Sequence, residues 1–224
     1  MKTENPWQVT GIACKSTFWG DALHQHWQGR SDYFAGGNMF VYSSMQQVRS
    51  RDYKGPDFFV VTDVDGSRER HAWIAWEENG RYPDVIVELL SPTTKTQALG
   101  VKKDLYETVF KTADYFCVDP EDWCLRGWHR HAQRYEPLRS NAQGWLWSDT
   151  LQLWLGLQEG HFQGTTARWL RFFAPAGQLV RTAEESVAAA QAQAEAAQVR
   201  AEAAEAENVR LRAELARLRG TTSS

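Results

Sequence analysis

The chain reads P-D-V-I-V-E-L-L-S-P from residue 83 to residue 92, an apolar run between two prolines with one acid, Glu88, in its middle. This composition predicts a largely buried β-strand. Burying a carboxylate costs several kcal/mol unless a cation, a metal ion or hydrogen-bond donors compensate its charge. Glu88 is therefore the first candidate functional residue. The alternative is an edge strand whose Glu88 side chain meets water.

Segments on both sides of this strand predict a mixed α/β sheet. Residues 57–63 and 71–77 also have strand composition, and turn residues separate them from each other and from residues 83–91. We therefore expect a meander of three antiparallel strands. Residues 98–111 have helical periodicity, and residues 114–120 read as another strand. This order of strand, helix and strand predicts a right-handed crossover, with the last strand parallel to residues 83–91.

The sequence after Pro120 alternates apolar and polar residues, which predicts further antiparallel hairpins. Tryptophan is frequent in this part of the chain. We expect Trp145, Trp147 and Trp154 to pack in the core rather than to stack on nucleic-acid bases.

A change in composition predicts two parts. All 11 tryptophans lie at or before Trp169, whereas Ala and Glu dominate from Thr182 onward. Pro175 and Gly177 mark a turn between the two parts. We expect a globular domain over residues 1–175 and a C-terminal helix over residues 182–219.

The C-terminal helix fits five heptads without slippage. Asn208 falls at an a position, where a buried amide is tolerated best opposite its own copy, and the g to e′ pairs have opposite charges. The pattern predicts a parallel coiled-coil homodimer; because the first half is rich in alanine, a solvated single helix is the alternative. The a positions are Val187, Ala194, Ala201, Asn208 and Leu215, the d positions are Ala190, Ala197, Ala204, Leu211 and Leu218, and the charged pairs are Arg200 with Glu205, Glu207 with Arg212 and Glu214 with Arg219.

Charge and cysteine content exclude some classes of protein. The net charge is -3, so no global basic field draws the chain to nucleic acid, and any such binding must be local. Cys14, Cys117 and Cys124 form no C-x-x-C pair, which predicts a reducing, cytoplasmic location. The first residues lack the apolar core expected of a signal peptide and the sequence has no run of 18 apolar residues, so we expect no membrane association.

Strand geometry identifies an acid that could act with Glu88. Asp84 lies on the same face of the strand but about 13 Å away, so the two cannot share one ion directly. Asp84 is a weaker candidate, either for a water-mediated metal contact or for capping a turn. Asp57, at the start of a neighbouring predicted strand, is better placed; the alternative is a turn residue after Gly55 and Pro56.

The helix predicted at residues 98–111 adds an amine. Successive helical residues are about 100° apart, so Lys102 falls within the apolar arc that contains Leu105 and Tyr106. Lys102 is expected to point inward, unless it only extends its alkyl chain along the core. Tyr106 is expected either to hydrogen-bond the same cluster or to pack. Two carboxylates and an amine suit phosphodiester hydrolysis assisted by Mg²⁺ or Mn²⁺.

Four segments in this order resemble the Uma2 family of putative restriction endonucleases, within the PD-(D/E)XK nuclease superfamily. They are G-P-D-F-F-V-V, P-D-V-I-V-E-L-L-S, K-K-D-L-Y and D-Y-F-C-V-D-P. The resemblance covers residues 32–173, and members often end in a helix rich in Glu, Ala, Arg and Leu. It implies an α/β fold with a restriction-endonuclease-like mixed sheet core, flanking helices and a C-terminal coiled-coil helix.

The resemblance also implies roles for single residues. Asp57 would be the first metal-binding acid, Glu88 the second and Lys102 the catalytic lysine. This chain departs from the patterns at two positions. The superfamily has its lysine two residues after the second acid, where this chain has Leu90, and family members often have an acid where this chain has Ala98.

The expected function is a metal-dependent endonuclease that hydrolyses DNA, with Mg²⁺ or Mn²⁺ as cofactor and a homodimer formed through residues 182–219. One alternative is a catalytically weak or inactive nuclease-fold module that binds a partner, which the departures at Leu90 and Ala98 favour. Another is a coiled-coil adaptor whose globular part anchors it. Basic residues near the predicted site that are candidates for phosphate contacts are Arg49, Arg51, Lys54, Lys95 and Lys103.

Two other patterns carry less weight. His129 and His131 have a spacing that can bind a metal, but no cysteine or acid cluster accompanies them at zinc-site spacing, so we interpret them as exposed residues of a hairpin. The chain has neither of the glycine-rich patterns that bind nucleotide phosphates. No nucleotide site is therefore expected.

Overall fold

The computed structural model describes residues 12–45, 47, 55–162 and 165–221. The chain divides into two compact units, residues 1–180 and residues 181–224. The division falls between residue 175, where the globular part is predicted to end, and residue 182, where the helix is predicted to begin.

The first unit combines helices with short strands. Its described helices are α1 (Ile12–His26), a 3₁₀ turn (Ala75–Glu77) and α2, which runs through four consecutive segments of α and π geometry: Lys95–Gln97, Ala98–Lys102, Lys103–Leu105 and Tyr106–Phe110. Its described strands are β1 (Tyr33–Gly37), β2 (Val41–Tyr42), β3 (Phe58–Thr62), β4 (Trp73–Ile74), β5 (Val85–Leu89), β6 (Asp114–Asp119), β7 (Cys124–His131), β8 (Arg134–Pro137), β9 (Leu146–Ser148), β10 (Leu153–Phe162) and β11 (Thr165–Phe173).

Six of these strands form one mixed sheet in the order β1-β3-β5-β6-β7-β8. The pair β5 and β6 is parallel, with α2 as the crossover between them, and the other pairs are antiparallel. Strands β9 to β11 form a second, antiparallel sheet, and β2 pairs with β4. The predicted mixed α/β fold and the predicted parallel crossover are confirmed.

The predicted meander of three strands is wrong. Strand β3 pairs directly with β5, and only Trp73–Ile74 of residues 71–77 is extended. This short strand pairs with β2 instead, and the chain then turns into the 3₁₀ helix Ala75–Glu77. The physical reason is that the large side chain this segment buries is the Trp73 indole, which donates to the carbonyl of Arg81 at 2.8 Å, whereas Trp76 is exposed.

Strand β5 is central because both of its faces are covered. Val85 and Val87 face a core formed with α1 and the β9–β11 sheet, whereas Ile86 faces a second core formed with α2. This burial on both sides explains the continuous apolar run around Glu88, since a strand with one wet face would alternate.

Trp145, Trp147 and Trp154 are half-buried rather than fully buried. Trp145 stacks on Phe173 with ring centroids 3.8 Å apart, and Trp147 meets Trp154 edge to face at 5.1 Å. These contacts support packing between aromatic side chains, as expected, at the margin of the core.

The second unit contains one long helix, α3 (Ala183–Thr221). Thr182 caps it: its hydroxyl accepts from the Glu185 amide at 3.2 Å, and the Glu185 carboxylate accepts from the Thr182 amide at 2.9 Å. Within this unit, apolar residues at predicted a and d positions of the coiled coil are exposed. The exposed fractions are 57% for Val187, 45% for Leu211 and 54% for Leu215. The side chains of Leu218 and Arg219 lie outside the described residues. None of the described helices has the length and apolar character needed to cross a membrane.

Candidate active site

The centre of the candidate site is a buried carboxylate held by two donors from α2. Glu88 is 3% exposed. The Lys102 ammonium lies 2.7 Å from its Oε1 and 2.9 Å from its Oε2, and the Tyr106 hydroxyl donates to Oε1 at 2.8 Å. The buried strand acid and the inward lysine that the sequence predicts therefore meet, and Tyr106 hydrogen-bonds rather than only packing.

Asp57 stands beside Glu88 at the start of β3. Phe58 pairs with Val87, so continuing the register by one residue brings Asp57 next to Glu88. The carboxylate of Asp57 accepts a hydrogen bond from the Leu89 amide at 2.6 Å, and this bond fixes it at the end of β5. Of the five candidate residues, Asp57, Glu88, Lys102 and Tyr106 therefore lie together.

The pKa of Glu88 is raised to about 7, chiefly because burial penalises its charged form. The positive charge of Lys102 opposes this increase, whereas the nearby negative charge of Asp57 adds to it. Burial also raises the pKa of Tyr106, and the neighbouring Glu88 raises it further, so the phenol stays a proton donor. The site thus holds two repelling carboxylates, an arrangement that a further cation would stabilise.

The local structure of α2 explains how Lys102 reaches the carboxylate. The helix lies over the sheet face that contains Glu88, and the Ala98 carbonyl accepts from the Tyr115 hydroxyl of β6 at 2.9 Å. Gly100 departs from helical geometry, with φ -115° and ψ -105°, within the π segment that contains Lys102. Such π segments are rare, and they are frequent at functional sites. The Lys102 ammonium also lies 3.5 Å from the Gly55 carbonyl.

Asp84 does not join this cluster. It lies at the opposite end of β5, where its carboxylate accepts from the Thr62 amide at 2.8 Å, the Thr62 hydroxyl at 3.0 Å and Arg81 at 3.2 Å. These bonds connect β5 to the end of β3. The capping role that the sequence offered as one of two alternatives for Asp84 matches this geometry.

The two departures from the family patterns have structural counterparts. Leu90 is buried on the α2 side of the sheet, at the position where the superfamily pattern has lysine. The ammonium of Lys102 instead approaches the Glu88 carboxylate from helix α2. Ala98 is buried in the same apolar cluster, so an acid at that position would need its own compensating charge.

The basic residues proposed as phosphate contacts have different surroundings. Lys95 pairs with Asp119 at 2.6 Å and with Asp122 at 3.5 Å. The Lys103 ammonium lies over the Trp128 ring, 4.7 Å from its centroid. The other three, Arg49, Arg51 and Lys54, lie outside the described residues.

His129 is part of a structural network. Its Nδ1 atom lies 2.7 Å from the fully buried Asp114, which also accepts from the Ser148 hydroxyl at 2.6 Å and from the Thr150 amide at 3.0 Å. Asp114 thereby links the six-stranded sheet to the β9 hairpin. Because the serine contacts the acid rather than the histidine, the three side chains do not form a nucleophilic triad. His131 is exposed.

Two residues near the site were not predicted from the sequence. Asp119, at the end of β6, is buried and lies within 3.9 Å of Arg126 on β7. The D-P pair that ends residues 114–120 was a visible signal for Asp119. Arg126 gave no signal, since its position depends on the register of β6 with β7.

The donor set fits a hard divalent cation. Within the described part of the chain, no group of three or more His, Cys, Asp or Glu side chains is placed to hold a metal. Two carboxylates are nevertheless the usual protein contribution to Mg²⁺, which keeps several waters and binds substrate phosphate with its remaining positions. Asp57 and Glu88 satisfy this requirement, and their mutual repulsion is what a cation would relieve.

Comparison with known proteins adds a family to this geometry. No curated protein matches the chain in sequence. A crystal structure of a putative nuclease belonging to DUF820 from Anabaena variabilis ATCC 29413 aligns with a TM-score of 0.43 and 16% identity, covering 63% of this chain and 74% of that one. The family model of Uma2, described as "Putative restriction endonuclease", matches residues 16–160, more than half of the chain. The chain therefore belongs to the Uma2 family.

Proposed function

We propose that this protein is a metal-dependent endonuclease that hydrolyses phosphodiester bonds in DNA. The observation that carries the proposal is the buried Glu88 carboxylate, paired with Lys102 and adjacent to Asp57. An ion pair that served stability alone is easily replaced by apolar residues of similar size, so a buried acid, a second acid and an amine in one place indicate chemistry. Membership of a family described as putative restriction endonucleases supports the same reaction class.

Asp57 and Glu88 are the proposed holders of Mg²⁺ or Mn²⁺. A bound divalent ion at this place would polarise the scissile phosphate and lower the pKa of a water molecule. Glu88 lies within β5, and Asp57 directly precedes β3 and is tied to β5 through the Leu89 amide, so both acids are held at the central sheet. The hydrogen bond from the Leu89 amide to Asp57 holds one acid, and the Tyr106 hydroxyl holds the other.

Lys102 is the proposed electrostatic partner of the substrate. Its side chain is 17% exposed, so Lys102 lies at the boundary between the buried Glu88 carboxylate and solvent. A positive charge at this boundary would offset the charge that develops on the phosphate oxygens during hydrolysis. Tyr106 acts through Glu88, by keeping its Oε1 atom in place.

A second candidate function is a nuclease-fold module that binds DNA or another partner without cleaving it. The observation in its favour is that both oxygens of Glu88 are already engaged by Lys102 and Tyr106. In addition, Leu90 and Ala98 are apolar where the family patterns have a lysine and an acid, so the site lacks those two charged groups. Cleavage assays separate the two candidates.

The proposed active form is a parallel homodimer through residues 182–219. The support is the apolar a and d surface of α3, which a single chain leaves exposed, together with the complementary g and e′ charges. Two sites in one dimer would be able to act on the two strands of a duplex. A reducing, cytoplasmic setting is also proposed, since Cys117 and Cys124 are free thiols.

The proposed reaction is tested by incubating supercoiled plasmid with the full-length protein and Mg²⁺ or Mn²⁺. We expect nicked or linear product from the wild type and none from Glu88→Gln. The matched control is Glu78→Gln, because Glu78 is also a largely buried acid, paired with the buried Arg70 at 2.8 Å, outside the candidate site. This control should cleave like the wild type. Binding of DNA without cleavage would support the second candidate, and equal cleavage by Glu88→Gln would refute the site.

A further inference from the structure

The sheet face that contains Glu88 continues in a row across the next two strands. Glu88 is the register partner of Cys117 on β6, and Cys117 is the register partner of Arg126 on β7. Side chains of register partners lie on the same face of a sheet. Arg126 therefore lies on the same face as Glu88, two strand spacings or roughly 10 Å away.

Asp119 holds Arg126 near this row. It lies two residues after Cys117, hence on the same face of β6, and it is buried. Lys95 and Arg126 approach the same oxygen of Asp119, with nitrogen to oxygen distances of 2.6 Å and 3.9 Å. Two cations, Lys95 of α2 and Arg126 of β7, therefore meet at the end of β6.

The guanidinium of Arg126 has unused hydrogen-bonding capacity. Its Nη1 atom is buried and has no hydrogen-bond partner among the described residues. The ion pair with Asp119 is long, and the side chain as a whole is 36% exposed, so the group is anchored on one side and open on the other. A planar guanidinium with free donors matches the oxygens of a phosphate.

The positive charges of Arg126 and Lys102 act on the same small region. Burial raises the pKa of the Cys117 thiol to about 12, while both cations oppose that increase. Cys117 thus lies between Glu88 and Arg126 in the register, and the charges of Arg126 and Lys102 both act on it. A DNA backbone that passes over Glu88 and Lys102 would meet Arg126 next along this row.

We propose that Arg126 binds a phosphate of the DNA backbone adjacent to the phosphodiester that is cut. This inference rests on the proposed function and specifies how the same site grips its substrate. It assigns the contact to β7, a strand that contributes neither acid nor lysine to the cluster around Glu88.

The test measures binding separately from cleavage. A fluorescein-labelled DNA duplex is titrated with full-length protein in EDTA, and fluorescence anisotropy gives the association constant at several NaCl concentrations. We expect Arg126→Ala to bind more weakly, with a plot of log association constant against log salt that is shallower by about 0.9, the value for one lost phosphate contact. Arg126→Lys keeps the charge and should retain the wild-type slope.

Arg134→Ala is the matched control, since Arg134 is exposed and lies on β8 beside the other end of β7. Its slope should equal that of the wild type. A wild-type slope for Arg126→Ala overturns the inference, as does a wild type that binds no duplex. If Arg126→Ala does not fold, as judged by circular dichroism, Arg126→Gln takes its place. Failure here leaves the plasmid result intact, because dependence of cleavage on Glu88 is measured independently.

Discussion

The Nζ atom of Lys102 lies within 2.9 Å of both carboxylate oxygens of Glu88, although the two residues belong to different elements, α2 and β5. Both side chains are largely removed from water. Each charge is therefore the main compensation for the other, and losing either one should disturb both stability and chemistry.

The first prediction concerns this coupling. Lys102→Met should destabilise the fold by about 3–5 kcal/mol at pH 8, because it leaves the Glu88 carboxylate buried without its cation. Adding Glu88→Gln should recover part of this loss, since the amide carries no charge. Urea unfolding of the two single variants and the double variant gives the coupling free energy. Effects that add within about 0.5 kcal/mol would show that the pair is not coupled.

The second prediction concerns pH. The pKa of Glu88 in the folded protein, about 7, exceeds its ordinary value of 4.5, so folding favours the protonated acid. Its contribution to the free energy of unfolding is therefore fully present below pH 4.5 and is lost as the pH rises to 7. At about 1.36 kcal/mol per pH unit, the wild type should lose roughly 3 kcal/mol relative to Glu88→Gln across this window. Urea unfolding in EDTA at several pH values measures the difference, and an increase with pH contradicts the prediction.

The third prediction concerns Asp114. Asp114→Ala should destabilise the protein by about 3 kcal/mol or more, because the Ser148 hydroxyl and the Thr150 amide lose a buried acceptor. Asp149→Ala, at an exposed neighbouring acid, should cost less than about 1 kcal/mol. Thermal unfolding followed by circular dichroism compares the two. Similar losses in both variants would mean that Asp114 does not connect the sheets.

The fourth prediction concerns the tail. Leu211→Glu places a charge at a d position of the proposed coiled coil, whereas Val209→Glu places one at an outward b position. Both residues are apolar and exposed in the single chain, at 45% and 61%, so only a partner helix distinguishes them. Sedimentation velocity should show a monomer for Leu211→Glu and a dimer for Val209→Glu and the wild type. A monomeric wild type would contradict the dimer.

The sequence predicted those features that depend on local periodicity. The apolar run around Glu88 predicts the strand, and the helical periodicity around Lys102 predicts the helix. Both inward residues could therefore be predicted from the sequence alone. The prediction for residues 71–77 was wrong because alternation of apolar and polar residues does not specify which strand a segment pairs with. Burial of Trp73 does not require a position between β3 and β5. Arg126 depends on pairing between β6 and β7, which no local pattern encodes.

The proposed reaction requires a divalent ion held by Asp57 and Glu88. Mn²⁺ is titrated into the full-length protein while electron paramagnetic resonance records the free ion. We predict one tightly bound Mn²⁺ per chain for the wild type and for Glu78→Gln, and none for Asp57→Asn or Glu88→Gln. Mn²⁺ binding that survives both substitutions, or a wild type that binds no Mn²⁺, contradicts the proposed site.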